Sequence, residues 1–226
     1  MKLVPPGLER VFFAIVDPLI GGLVRMGVRP NTITTIGLGL VIASAVAFGM
    51  GSIRLGGFLL LLSGVVDTFD GAVARRTGTT SKFGAFYDST LDRIGDGATF
   101  IGIGLFFMTA PDIAYRNVAV VLCMVAILTS LVVSYTRARA EGLGLECRVG
   151  IAQRAERIVG IGGAALIVGA RYQGLVLSSI VAVLSLLSAI TIGQRIVHIY
   201  SITEGAQARR GSDAASEALD TITKGS

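Results

Sequence analysis

Apolar residues run along this chain in long blocks divided by short polar breaks. Six blocks, near 31–50, 54–75, 83–110, 116–139, 155–171 and 173–200, hold about 17–28 residues each, against the ~20 an α-helix needs to cross the hydrocarbon of a bilayer. The first apolar stretch, about 8–25, has another pattern. Glu9, Arg10, Asp17 and Arg25 are interleaved there with Val11, Phe12, Phe13, Ile15, Val16, Leu19 and Ile20, which predicts an amphipathic helix lying in the membrane interface. It lacks the apolar core and small-residue cleavage site of a signal peptide and is expected to belong to the mature protein. Residues 203–226 turn polar and small and read as a frayed tail. The predicted fold is therefore all-α: a polytopic membrane protein with an interfacial helix in 1–30, six transmembrane helices in 31–202 and a polar tail in 203–226.

Composition agrees. Hydrophobic residues make up 52% of the 226, charged residues only 15%, and mean hydropathy is +0.73, too little polar side chain to cover a soluble domain of this size. The 30 glycines suit close helix packing in a membrane. A net charge of +5 is not pooled into a basic region with interleaved aromatics, so no nucleic-acid partner is implied. The charges read as topology marks instead. Only Arg54, Arg116 and Arg171 fall between blocks on one side, and the other 17 of the 20 Lys and Arg fall on the side of both termini. Positive residues stay inside, which predicts a multi-pass cell-membrane protein with both ends cytoplasmic. Cys123, in an apolar block, and Cys147, in a charged loop, read as an unreactive pair rather than a disulfide.

Five of the nine aspartates, Asp67, Asp70, Asp88, Asp92 and Asp96, lie within the second and third blocks. One Asp at the centre of a membrane helix costs about 2.5–3.5 kcal/mol, so something must compensate five. At 100° per residue, Asp67 and Asp70 are offset by about 60° and Asp88 and Asp92 by about 40°, so each pair lines one face of its helix. A short loop, 76–82, joins the two helices and lets the four carboxylates meet. Like charges in a dry place need cations, and an all-oxygen donor set suits Mg²⁺ or Mn²⁺. Asp96 extends the stripe by a turn and is either a ligand or a polar contact between helices. Gly71 permits close approach of a ligand, and Arg75, four residues on, reaches whatever sits over that glycine. Metal ligands, glycine and arginine together suit a pyrophosphate at the cytoplasmic membrane surface.

The stretch Asp70-Gly71-x2-Ala74-Arg75-x8-Gly84-x3-Asp88-x3-Asp92, with Asp67 three residues before it, resembles the signature of the CDP-alcohol phosphotransferases, a family of six transmembrane helices with an interfacial N-terminal helix. The resemblance implies transfer of a phosphatidyl group from CDP-diacylglycerol to an alcohol with release of CMP. It implies two Mg²⁺ or Mn²⁺ ions on Asp67, Asp70, Asp88 and Asp92, with Asp92 as general base. It also implies CDP-lipid contacts from Gly71, Arg75, Ser81 and Gly84, and from Asn31, Thr32, Ile33 and Thr34 at the start of the first span. Asn31 or Thr32 reads independently as a helix N-cap. A homodimer is implied by the same resemblance.

Arginines crowd the cytoplasmic side of the last three spans: Arg137 and Arg139, Arg148, Arg154 and Arg157, and Arg195 inside an apolar block. Such a set implies an anionic acceptor. Among family members the arrangement looks most like the phosphatidylinositol phosphate synthases, with Arg137, Arg154 and Arg195 as the acceptor-phosphate pocket and inositol 1-phosphate as acceptor. Arg137 stands where lysine is familiar and Ala155 where proline is. Glycerol 3-phosphate, the acceptor of phosphatidylglycerol phosphate synthase, fits an anionic pocket too. Transport of a metal or solute through the aspartates is the reading from another class. It sits poorly with carboxylates confined to one half of a chain without internal repeats.

Overall fold

The computed structural model describes the backbone of residues 6–111, 113, 115–151 and 154–224, with side chains between 16 and 204. It is entirely helical: α1 (Pro6–Arg25), α2 (Pro30–Gly49), α3 (Ile53–Thr77), α4 (Lys82–Thr109), α5 (Arg116–Gly142), α6 (Arg154–Val168), a 3₁₀ turn (Arg171–Gly174) and α7 (Leu175–Lys224). Among the described residues, four helices are long and apolar enough to cross a membrane: α2, α3, α5 and Leu175–Glu204 of α7. The other two predicted spans differ for physical reasons. α4 carries Lys82, Asp88, Asp92, Arg93 and Asp96 among its apolar residues. α6 has only 15 residues, because the chain takes a left-handed step at Gly169, φ +65°.

Helix packing closes on itself. α2 packs on α3 and α4, α3 on α6, α6 on α7, α7 on α5, and α5 on α4, so six helices form a ring. Two of these contacts need the absence of a side chain. A Cβ on Gly57 would meet the Cβ of Ala165 and the carbonyl of Gly162 at 2.7 Å, and one on Gly102 would run into the backbone of Ala45. At one end the ring interior is filled by Phe48, Leu60, Phe100, Ile103, Phe107, Ile161 and Val181. The other end, where α2, α4 and α6 begin and α3 and α5 finish, holds the aspartates and most of the arginines. Lipid gives no hydrophobic drive to helix association, so the first end is held by close packing of small residues against aliphatic and aromatic side chains.

Outside the ring, α1 leans on α3. Val16 and Ile20 are buried against Ile33, Ala72 and Val73, while Asp17 faces outward and pairs with Arg76 at 2.6 Å. The side chains of the first part of α1, which carry most of its predicted amphipathic pattern, lie outside the described residues.

Three expectations are corrected. Residues 203–224 continue α7 as helix rather than fraying. α2 begins at Pro30 with Arg29 as its cap and no side-chain capping bond, because proline pre-sets the first helical turn; Asn31 and Thr32 therefore lie inside that turn. Cys147 is not an open loop thiol but is buried, as is Cys123, and both are free.

Candidate active site

Helix register brings the predicted carboxylates together. One oxygen from each of Asp67, Asp70 and Asp88 lies within 4.8 Å of the others. Oxygen ligands about 2.0–2.6 Å from a Mg²⁺ or Ca²⁺-sized cation span distances of this order, so the donor set fits a hard divalent ion. Asp70, the most buried of the three, is held from α2: Thr34 Oγ1 donates to its Oδ2 at 2.7 Å. The backbone N–H of Gly71 donates to its other oxygen. Arg75 folds back over Gly71, its Nη1 3.1 Å from where a Cβ would stand, as the four-residue spacing implies.

The fourth carboxylate is placed differently. Asp92 accepts an ion pair from Arg154 Nη1 at 2.6 Å, and Arg93 approaches it at 3.6 Å. The same Arg154 nitrogen reaches Asp67 Oδ2 at 2.7 Å. Arg154, the first residue of α6, thus bridges α3 and α4 from across the ring. A narrow cavity beside it is lined by Thr34, Gly37, Ser63, Asp67, Asp92 and Arg154.

The expected CDP-lipid residues also gather. Ser81 caps α4, its Oγ accepting from the Gly84 N–H at 2.9 Å. A Cβ on Gly84 would lie 3.5 Å from Asn31 Oδ1, so the starts of α2 and α4 face each other. Ile33 is buried under α1. Thr35, which sequence reasoning passed over, shares a 2.9 Å hydrogen bond with Tyr87 across the same junction.

The three acceptor arginines do not meet at one point. Arg154 is in the carboxylate cluster. Arg137 pairs with Glu141 on its own helix at 2.9 Å. Arg195, 7% exposed, donates through Nε to Val149 O at 3.0 Å and through Nη1 to Val133 O. It ties α5 and the loop before α6 to α7, within electrostatic reach of Arg137 and Arg157. Asp96 resolves to a contact between helices: its Oδ2 accepts from Arg157 Nη2 at 2.5 Å, both side chains buried. Sequence analysis placed Arg157 in the arginine set that implies an anionic acceptor without giving it a partner; the signal that finds Asp96 is the i,i+3 spacing of Arg154 and Arg157 opposite the i,i+4 spacing of Asp92 and Asp96.

A carboxylate cluster on two helices of an apolar bundle, with glycine and arginine beside it, is the arrangement suited to metal-dependent phosphoryl transfer at a membrane. Residues 27–198 match the CDP-alcohol phosphatidyltransferase family, and the chain belongs to it. It is 37% identical over 185 residues to the archaetidylinositol phosphate synthase of Methanothermobacter thermautotrophicus, covering 82% of this chain and 88% of that one. To the phosphatidylinositol phosphate synthase of Mycobacteroides abscessus it is 35% identical over 217 residues, 95% and 97% of the two chains. Among solved structures it resembles the Mycobacterium tuberculosis phosphatidylinositol phosphate synthase. The form with manganese and citrate superposes with TM-score 0.74 at 32% identity, covering 81% of this chain and 88% of that one. The form with CDP-DAG bound gives 0.74 at 31%, covering 83% and 94%.

Proposed function

We propose that this protein transfers the phosphatidyl group of CDP-diacylglycerol to inositol 1-phosphate, yielding phosphatidylinositol phosphate and CMP. The observation that carries the choice of an anionic acceptor is Arg154 within the carboxylate cluster, where its guanidinium offers a phosphate partner beside Asp92. The names of the relatives favour inositol phosphate over glycerol 3-phosphate.

In this reading Asp67, Asp70, Asp88 and Asp92 would hold two Mg²⁺ or Mn²⁺ ions, whose positive charge would offset that of the pyrophosphate and of the departing CMP. Thr34 fixes Asp70 among them. Arg75, over Gly71, takes a diphosphate oxygen, and Asn31, Thr32, Ser81 and Gly84 form the nucleotide's seat at the α2–α4 junction, while Ile33, buried under α1, only holds the start of α2 in place. The acceptor's hydroxyl oxygen bonds the lipid-bearing phosphorus, the bond from that phosphorus to the CMP oxygen breaks, and the hydroxyl proton passes to the carboxylate of Asp92. Arg154 holds the acceptor's phosphate, with Arg137 and Arg195 extending the positive field toward the cytoplasm.

All six ring helices cross the membrane in this reading, and α1 lies in the interface. α4 and α6 expose Ile101, Leu105, Val159 and Ile167, side chains suited to lipid, and α6 is completed by the turn that follows it. The cytoplasmic placement of the site and both termini is supported by Arg54 and Arg171, which line one cavity at the opposite end, and by Arg116 at the start of α5 on that same end, against the larger number of basic residues toward the site. A homodimer is the assembly that the family resemblance implies.

The test is CMP release by the purified protein in lipid nanodiscs with CDP-diacylglycerol and Mn²⁺ or Mg²⁺. Inositol 1-phosphate is expected to outpace glycerol 3-phosphate, free inositol to give no turnover, and sulfate to compete with the acceptor alone. Equal rates with inositol and its phosphate overturn the anionic acceptor; a preference for glycerol 3-phosphate moves the assignment to that substrate.

A further inference from the structure

The end of the ring away from the carboxylates has a polar feature of its own. A cavity of about 570 Å³ lies between the α2–α3 turn and the turn after α6, with Gly51, Ser52, Arg54, Leu55, Gly169 and Arg171 in its lining, a size within the range of ligand sites. We propose that this cavity binds the phosphate of a net-anionic phospholipid in the leaflet opposite the carboxylate site, with an acyl chain lying along α3. This rests on the reading of the ring as membrane-spanning.

Positive charge gathers here against the general trend. Few basic residues lie at this end of the ring, as the topology rule requires, yet two of them share one cavity. Arg116, at the start of α5, is occupied, donating to the Ala110 carbonyl at 2.9 Å. Arg54 and Arg171 form no ion pair or side-chain hydrogen bond among the described residues, and no carboxylate among those residues lines the cavity. Gly169, at φ +65°, makes room for one of them: a Cβ there would stand 3.2 Å from Arg54 Nε, so the arginine lies across the end of α6. The negative pole of α6 offsets part of the charge. Two guanidiniums in one cavity otherwise disfavour each other, and an anion bonded to both relieves that. Ser52 adds a donor. It is the cap residue of α3 but makes no side-chain capping bond, which leaves its hydroxyl free beside the positive pole of that helix.

The surface that leads away from the cavity selects a lipid over a free anion. Leu55, in the lining, is followed on α3 by Phe58 and Leu62, all three exposed, and their i, i+3, i+7 spacing sets them on one face. At 1.5 Å per residue this apolar stripe runs about 10 Å toward the middle of the ring. Tyr172, exposed next to Arg171, is a residue suited to headgroup depth. Anionic head and apolar tail thus meet matching surfaces in the order a phospholipid presents them.

The chain has no tryptophan, so Phe58→Trp in the full chain installs a single fluorophore on the stripe. Acyl-brominated phosphatidylglycerol and acyl-brominated phosphatidylcholine, each mixed into nanodiscs of unbrominated phosphatidylcholine, quench it according to which lipid occupies the contact. Each basic residue near an anionic headgroup contributes about fivefold in binding, so phosphatidylglycerol should be preferred about tenfold or more. Arg54→Gln with Arg171→Gln should bring the preference to about unity while CMP release is retained. Equal quenching by the two lipids overturns the site, as does a preference that survives the double replacement. Loss of the preference on adding inorganic phosphate overturns the lipid as occupant and makes the cavity a free-anion site. If neither lipid quenches, this face of α3 does not meet lipid, and the membrane-spanning reading falls together with the site. Leu62→Trp carries the same measurement if Phe58→Trp does not fold.

Discussion

Replacing Thr34 with valine asks whether α2 helps build the metal site or only roofs it. The side chains are nearly the same shape, so α2 stays packed on α3, and the change is loss of the hydroxyl that donates to Asp70 Oδ2 at 2.7 Å. That oxygen belongs to a carboxylate only 8% exposed, with little water to replace the donor. A hydrogen bond to a charged group contributes about 1.5–3 kcal/mol, or roughly 10–150-fold in an equilibrium constant. Asp70 shares a 4.8 Å cluster with Asp67 and Asp88, so the expected loss falls on metal affinity. The half-saturating Mn²⁺ or Mg²⁺ concentration for CMP release should rise about tenfold or more in Thr34→Val and return toward the starting value in Thr34→Ser, which keeps the hydroxyl. An unmoved metal curve with a raised CDP-diacylglycerol KM would refute this reasoning and put the hydroxyl on the nucleotide.

The carboxylates proposed as metal ligands should be less forgiving: Asp67→Asn or Asp88→Asn, like chelation, should abolish transfer, while size-exclusion and thermal profiles show a folded protein. Gly102→Val should lower stability by about 1–3 kcal/mol through overpacking against the Ala45 backbone, read as a lower thermal midpoint in detergent; an unshifted midpoint would mean α2 and α4 separate freely. Arg76→Gln breaks an ion pair whose side chains are 41% and 56% exposed, so it should change stability by less than about 1 kcal/mol, in contrast to any break at Arg157.

How much of this was legible in the sequence follows from which interactions are local. Helical spacing places Asp67 with Asp70 and Asp88 with Asp92, and Arg75 over Gly71, because each relation lies within one or two turns. The ring was not legible, since nothing local says that α6 packs on α3 rather than α5. For the same reason the arginines could be assigned to the cytoplasmic side but not to partners. Arg195 turned out to hold two backbone carbonyls, a kind of partner no side-chain pattern announces. The capping of α2 was misread because proline at the first helical position outweighed the side chains after it. The polar tail was misread because low hydrophobicity says where a helix does not bury itself, not that it ends.

The closed ring also bears on how the protein is made. Every ligand in the Asp67, Asp70 and Asp88 cluster, together with Thr34 above it, is synthesised in the first half of the chain. Arg154 comes later, and the ring closes only through α7, which joins α5 to α6 and whose Arg195 anchors the loop leading into α6. The carboxylates proposed to hold metal therefore all precede α7 in the chain, while the anchor of the loop that leads to their arginine partner comes last. On this order of synthesis, a chain lacking the final helix would hold the carboxylates but not the Arg195 anchor, and is expected to lack transferase activity.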